Sequence, residues 1–469
     1  MMNRAQRIDR NGGRVVRDIS YPTLIFLLFS VLFGALSIKV VPPLQAPDEI
    51  GHFVKTQAFS EFKVRPQKRS AATGQNNQPT WGEYGFKLPY EVQSMNEYAN
   101  QTRGKNAKPP YQLARKNKRV FIGTGGITNY SFINYLPQLV GTFTGKALGK
   151  SILWQYYAAR ICNLIVYIGI VFFAIKLFPF SKWGAVLLAL NPMALFLASS
   201  VSGDGMVIAG SFFFISWMLN LLNRPTISTT RMFFSGGMLA ALVLMKPTLI
   251  VFGMLFFLIP NKALSIKRKL FWGVGILAAC LLIYLSWNRL MIDQQLLYRD
   301  FADPKGQVSA FLKNPFVFLG NFLGNYLFGV KGDGVLHSFV GNFGWLDTPL
   351  GWHWVVLYIV SVVIGALANP EGELTLSISK RLILVASIVL YVLLTFFALY
   401  QIWNQVGRIK SIEGLQGRYF IPGSLLIIPL FSSVEDVLNI SPKKINLILT
   451  ISMLLVLIAT VYTLMNRYS

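Results

Sequence analysis

Two carboxylates and an imidazole stand close together in the stretch Pro42-Pro43-Leu44-Gln45-Ala46-Pro47-Asp48-Glu49-Ile50-Gly51-His52-Phe53. A carboxylate within hydrogen-bond reach of a hydroxyl can take its proton as the oxygen attacks an electrophile. Carboxylates and an imidazole can also hold a divalent cation such as Mg or Mn. Asp48 and His52 are four residues apart, so in a helix they share one face. The prolines before them favour an extended lead-in to a short helix. Asp48 is therefore a candidate general base, and Glu49 a candidate for a supporting or metal-binding role. The plainer alternative for Asp48 is a helix N-cap. His52 could bind substrate, orient a carboxylate, coordinate a metal with Asp48 and Glu49, or serve as a structural hydrogen-bonder.

Cationic and polar groups elsewhere could complete such a site. Arg418, in Gln416-Gly417-Arg418-Tyr419, is a candidate bidentate phosphate clamp, or an interfacial anchor. Lys246 precedes Pro247 between two short apolar runs, where a charge is costly without a partner, and either binds phosphate or snorkels. Arg160 is a similar candidate. Asp204, in Ser202-Gly203-Asp204-Gly205, either joins the site or caps a helix. His337 and Asp347 lie in a Gly-rich stretch, where backbone can approach a ligand, and could contact the substrate. Trp345, Trp352 and Trp354 read as interfacial tryptophans. No H-E-x-x-H helix and no nucleotide-type phosphate loop occurs, so a zinc hydrolase and a nucleotide-sugar donor are not indicated.

The elements that must position these groups are membrane helices. Of 469 residues 53% are apolar, with a mean hydropathy of +0.49 and only 13% charged. That describes an all-α polytopic membrane protein. Cys162 and Cys280 lie inside apolar runs and provide no disulfide framework. Residues 1–20 carry Arg4, Arg7, Arg10, Arg14 and Arg17 and read as a cytoplasmic basic tail ahead of a single domain, 21–469. Eleven spans are expected: 21–41, 155–178, 183–201, 206–222, 232–245, 247–260, 270–290, 352–368, 382–402, 418–431 and 445–464. Residues 231–260 are short for two crossings, and two short helices are preferred there to one tilted helix. Residues 42–154 form a large first external loop and 291–351 a second. Within the first, 70–79 and 100–110 read as loop, and Tyr130–Leu148 as a helix lying along the membrane surface. The short basic connections then share the cytoplasmic side. Asp48, Glu49, His52, Arg160, Asp204, Lys246, His337, Asp347, Gln416 and Arg418 all fall at the external face.

Several short motifs carry a resemblance. They are P-P-x-x-A-P-D-E-x-x-H-F after the first span, Tyr130–Pro137, Asn191-Pro192-Met193 with Ser199–Asp204, Lys246-Pro247, Gly341–Asp347, and Gln416–Pro422. In this order they resemble a bacterial family of predicted multi-pass membrane proteins of unknown function, which is similar to the GT-C superfamily of glycosyltransferases. The resemblance implies a GT-C-like bundle with one or two acidic residues in the first external loop. It also implies sugar transfer from a polyprenyl-phosphate-linked donor on the outer leaflet of the cell membrane. The acceptor would be an envelope glycan or glycopolymer, and the expected partners include the lipid bilayer but no nucleic acid. Such transfer needs a base for the acceptor hydroxyl and positive charge on the departing phosphate. A single displacement with inversion is expected. The basic run Lys63, Arg65, Lys68, Arg69, Arg115, Lys116, Lys118 and Arg119 would attract anionic lipid or an anionic acceptor, or is simply a solvated face. The rival readings are a transporter or flippase of lipid-linked glycans and a non-catalytic assembly partner. The first would favour mid-membrane charges and internal repeats.

Overall fold

Helices of very different length sort the chain into membrane-scale rods and short connecting pieces. In a computed structural model, the described residues are 19–69, 84–102, 117–291, 301–327, 329, 331–368, 376–409, 412–431 and 440–468. The basic tail at 1–18, the loop at 70–79, residues 103–110, and Arg115 and Lys116 lie outside them.

In chain order the helices begin with α1 (Tyr21–Val40), α2 (Glu49–Phe59), α3 (Tyr90–Gln101), α4 (Leu136–Ala147), α5 (Ile152–Leu177) and α6 (Lys182–Ala189). There follow α7 (Pro192–Ala198), α8 (Asp204–Asn220), α9 (Thr229–Met245), α10 (Ile266–Leu290), α11 (Pro304–Lys313) and α12 (Pro315–Phe322). The last are α13 (Lys331–Val340), α14 (Trp352–Leu367), α15 (Ile378–Trp403), α16 (Ile421–Ser424) and α17 (Pro442–Tyr468). Six of these segments are long and apolar enough to cross a membrane: α1, α5, α8 with its 3-10 extension to Asn223, α10, α15 and α17. The protein is an all-α membrane protein with few strands.

The other five expected spans are shorter, four of them for a visible local reason. Residues 183–201 break into α6 and α7 because Asn191 caps α7 through Ala194 N–H (3.1 Å) and Pro192 has no N–H to continue the ladder. Residues 231–260 divide at Lys246, whose extended backbone (φ −154°) ends α9 and leads into a 3-10 segment, Pro247–Leu258. Two short segments rather than one tilted helix result. Residues 417–431 wind as 3-10, α and 3-10 turns, with Pro429 inside the last. Both α9 and α14 are regular helices below full crossing length.

Between α1 and α5 the first loop folds as a small layer with its own core. Strand β1 (Gln67–Lys68) pairs antiparallel with β2 (Tyr84–Pro89), and β2 with β3 (Arg119–Gly123). Phe53 and Val54 of α2, Phe86 and Leu88 of β2, Val92 and Met95 of α3, and Tyr156 of α5 are buried together. The expected surface helix is α4, 12 residues long and so about 18 Å, too short to cross alone. It lies against α5 so closely that a Cβ at Gly141 would overlap the backbone of Ala158. Its other side presents Leu136, Val140 and Phe143 outward, with exposed Phe62 against the Phe143 ring at 6.0 Å. A 12-residue helix with an outward apolar stripe suits a membrane surface. In the second loop, β4 (Asn342–Phe343) and β5 (Thr348–Pro349) form a hairpin whose turn holds Gly344 and Leu346 at positive φ.

The helix ends fall on two faces. The C-terminus of α17 meets the end of α1, Tyr468 donating to the Gln45 carbonyl at 3.3 Å, whereas Tyr21 at the other end of α1 lies beside Thr450 and Trp183. That second face carries Lys176, Lys182, Arg224, Arg231, Lys269 and Arg381; Lys182 donates to the carbonyls of Ile175 and Lys176, and Arg381 to that of Leu430.

Candidate functional site

The stretch before α2 is held in a shape that a free peptide avoids. Leu44 (φ 62°) and Asp48 (φ 58°) both occupy the left-handed region, at a cost of about 1–3 kcal/mol for a residue such as leucine. Four separate elements pin it there. Leu44 N–H donates to the Tyr156 hydroxyl (2.9 Å), and the Leu44 carbonyl accepts from Trp345 Nε1 (3.2 Å). Gln45 donates to the Ala99 carbonyl of α3 (3.2 Å), and Tyr468 of α17 closes the other side.

Glu49 and Arg160 form the post on which this loop hangs. Both side chains are fully buried. Arg160 meets the carboxylate through Nε (3.0 Å) and Nη2 (3.0 Å) and also donates to the carbonyls of Val41 (2.6 Å) and Pro42 (3.1 Å). Glu49 accepts two more bonds, from Val201 N–H (2.8 Å) and Ala46 N–H (3.1 Å). Burial alone would raise the Glu49 carboxyl; the adjacent Arg160 guanidinium outweighs it and holds the group below its usual range. A carboxylate so engaged anchors the loop.

Asp48 is the opposite case. Although it stands at the N-cap of α2, its side chain caps nothing. Its carboxylate is 43% exposed toward a cavity and takes a 2.7 Å bond from Arg418 Nη2. Enclosure by protein would raise its pKa, but Arg418 prevails and keeps it below the usual carboxylate value. Arg418 is itself nearly buried. It bridges to Asp204 through Nη1 (3.3 Å), is held by Gln416 at Nε (2.7 Å), and lies over the Tyr419 ring at 5.1 Å. Lys246 approaches the same ring from elsewhere, with Nζ 4.3 Å from its centroid. Asp48, Asp204, Lys246, Gln416 and Arg418, spread over 371 positions of the chain, thus converge around Tyr419.

Local structure explains how Arg418 is aimed. Gly417 packs directly on α13, where a Cβ would overlap the Val335 carbonyl and the Phe339 backbone, and its N–H donates to Ser338 (2.7 Å). Asp204 opens α8, its N–H donating to Ser202 Oγ (3.1 Å), so its carboxylate sits at the end where the chain enters the bundle.

His52 lies one turn into α2, buried, with Nδ1 2.8 Å from the Tyr135 hydroxyl. Burial lowers its pKa more than Asp204 and Asp48 raise it, favouring the neutral ring. His337 and Asp347 are outside the cluster. His337 Nε2 contacts the Leu350 carbonyl (3.1 Å) and its ring lies 4.1 Å from that of Trp352. Asp347 pairs with Arg467 (2.8 Å) and accepts from Trp345 N–H (3.0 Å), which fixes the hairpin that carries Trp345.

The set Asp48, Glu49 and His52 does not fit a divalent cation. Glu49 is consumed by Arg160 and two backbone amides, His52 is tied to Tyr135, and Asp48 faces a guanidinium. Among the described residues no group of three or more His, Cys, Asp and Glu side chains is placed to bind a metal.

Sequence reasoning passed over Lys55, Tyr419, Asn96, Asn100 and Trp403. Lys55 is fully buried with no carboxylate beside it among the described residues; its ammonium donates to the carbonyls of Thr128 (2.7 Å) and Tyr130. Its signal was available: it follows His52 by three residues, on the same flank of α2. Tyr419 stood inside the Q-G-R-Y motif. Asn96, Asn100 and Trp403 carried no motif at all.

No curated protein and no solved structure matches the chain. A family model described as "Predicted membrane protein (DUF2142)" matches residues 29–427, a span that takes in every residue of the Asp48–Arg418 cluster. The chain belongs to this DUF2142 family of predicted membrane proteins.

Proposed function

We propose that the protein is a GT-C-like glycosyltransferase that takes a sugar from a polyprenyl-phosphate-linked donor and gives it to an envelope glycan at the external face. The observation that carries this reading is the Arg418 bridge between Asp48 and Asp204, beside Lys246, at the mouth of a cavity. Carboxylates and two cations sit together there, at one end of a membrane bundle, which supports a base beside a phosphate site.

In this mechanism the donor phosphate binds Lys246 and Arg418 and competes with Asp48 for the guanidinium. Once released, Asp48 loses the charge that depresses its pKa and becomes a better base. It takes the proton of the acceptor hydroxyl as that oxygen bonds to the anomeric carbon. The bond from that carbon to the phosphate oxygen breaks, and its electron pair leaves with the polyprenyl phosphate. Lys246 and Arg418 stabilise the growing negative charge. A single displacement inverts the anomeric centre. Asp204 keeps Arg418 in place throughout, and Glu49 and Arg160 hold the loop. No step requires a metal.

The test is sugar transfer by purified protein in lipid nanodiscs, given a panel of polyprenyl-phosphate sugars. Asp48→Asn keeps the shape of the side chain and removes the base. Loss of turnover by about a hundredfold or more, with donor still bound, supports the assignment. Wild-type turnover in Asp48→Asn refutes it. Movement of lipid-linked glycan across the bilayer without any transfer would replace this reading with a transporter.

A further inference from the structure

Two neighbouring cavities open beside the Asp48–Arg418 cluster, and their walls differ in chemistry. One, of about 300 Å³, is bounded by Lys246 and Tyr419 and by Tyr284, Trp287, Leu399 and Ile402 at the ends of α10 and α15. Both helices are largely uncovered by the rest of the protein. An ammonium at the end of an apolar wall suits a phosphate that carries a hydrocarbon tail.

The second cavity, of about 430 Å³, lies toward the first loop. Asp48, Asn96, Asn100, Thr124, Trp345 and Trp403 line it, and Gly126 and Trp403 belong to both cavities, so they share a wall. Among the described residues lining the second there is no Lys, Arg or His. Its carboxylates, Asp48 and Glu49, already hold their guanidinium partners. An anionic ligand here would meet negative groups and no cation of the lining itself. Carboxamides and indoles suit a different ligand. Asn100 Nδ2 donates to Asn96 Oδ1 (2.9 Å), which leaves each carboxamide one further polar atom, one donor and one acceptor. Indole faces stack on the C–H faces of sugar rings. Trp345 is also fixed in position, since its indole N–H bonds the Leu44 carbonyl of the strained loop that carries Asp48.

We propose that this second cavity binds an uncharged glycan, through Asn96, Asn100, Trp345 and Trp403, and presents one of its hydroxyls to Asp48. As the acceptor site, it rests on the transfer reaction proposed above. The basic outer face of the first loop then serves the membrane surface rather than the acceptor.

Full-length protein in nanodiscs is titrated with uncharged tetrasaccharides (a glucan, a mannan and a galactan) and with an oligouronate and a phosphorylated tetrasaccharide. Saturation-transfer NMR and tryptophan fluorescence read binding. At least one uncharged glycan is expected to bind and the anionic ones not. Asn96→Ala combined with Asn100→Ala is expected to weaken that binding by at least about tenfold. Both asparagines lie toward the outside of α3, so thermal unfolding checks that the double variant stays folded. No uncharged glycan bound, preference for the anionic ones, or unchanged affinity in the double variant overturns the proposal. Because binding is read without turnover, the two readings fail separately. Glycan bound but never modified removes the transferase and leaves the site. Turnover with an unaltered acceptor KM in the double variant removes the site and leaves the transferase.

Discussion

Adjacent carboxylates at positions 48 and 49 have opposite fates, and the difference is one of partners rather than of residue type. Glu49 is buried with Arg160 in a pair that bonds the carbonyls of Val41 and Pro42 and the amide of Val201, whereas Asp48 faces a cavity. Breaking a buried pair by removing one charge leaves the other unpaired and costs about 3–5 kcal/mol. Glu49→Gln is therefore expected to lower the thermal unfolding temperature in detergent markedly. Asp48→Asn, at a partly exposed pair, should lie within about 1 kcal/mol of wild type. Equal destabilisation by both would mean that Asp48 is also structural. Lys55 gives a second contrast. Burial pushes its ammonium from the usual 10.5 down to about 7. Below pH 7 both folded and unfolded chains hold the proton, and the full cost of burying the charge is present. Between about 7 and 10.5 the unfolded chain holds a proton that the folded chain has released, so stability rises with pH, by at most about 1.4 kcal/mol per pH unit. Wild type should thus gain stability over Lys55→Met as pH climbs above neutrality; a flat difference in unfolding temperature would place the ammonium in contact with an anion or water.

At the scale of elements, Gly417 shows how a single packing contact aims the site. A methyl group there meets the backbone of α13, which cannot swing aside as a side chain would. Gly417→Ala should cost at least about 2 kcal/mol and shift Arg418 away from Asp48, lowering turnover as well as unfolding temperature. Retained activity with full stability would show that the two segments are free to separate. The same scale shows what could be read from the chain. Apolar runs located the six helices long and apolar enough to cross a membrane, because length and hydropathy are local properties. They overstated regularity where the breaks come from small signals: the Asn191-Pro192 pair, the Lys246-Pro247 turn and Pro429. Asp48, Asp204, Lys246, Gln416 and Arg418 were expected at one face of the membrane, and the fold brings them together. The roles were not legible in the sequence. That Glu49 turns inward to Arg160 while Asp48 turns outward depends on the left-handed backbone at Leu44 and Asp48, which four distant elements enforce. His337 and Asp347 share the face but fall outside the cluster, because the hairpin turns Asp347 toward Arg467. Asn96 and Asn100 share one helix but lie far from Trp403 in sequence, and all three are ordinary in type, so only tertiary structure brings them to one cavity.

For the whole molecule, the decisive property is sidedness. The end of the bundle opposite the cluster carries Lys176, Lys182, Arg224, Arg231, Lys269 and Arg381 on short connections, where positive charge governs insertion. The first loop is basic too, but it is long and folded around its own core, and long loops cross largely regardless of charge. The basic short connections should therefore remain in the cytoplasm and the Asp48–Arg418 cluster should face outward, the side that the proposed transfer requires. Outward-facing Leu136, Val140 and Phe143 of α4, with Phe62, would rest the loop on the outer membrane surface. In a chain carrying Cys162→Ser and Cys280→Ser, a cysteine introduced by Glu97→Cys should react with a membrane-impermeant maleimide on intact cells. One introduced by Thr230→Cys, at the start of α9, should react only after the membrane is opened. Both positions are exposed, so accessibility within the fold does not decide the outcome. Labelling in the reverse order would put the cluster in the cytoplasm. There the donor would have to be a lipid on the inner leaflet, and transfer onto a glycan already outside the cell would be ruled out.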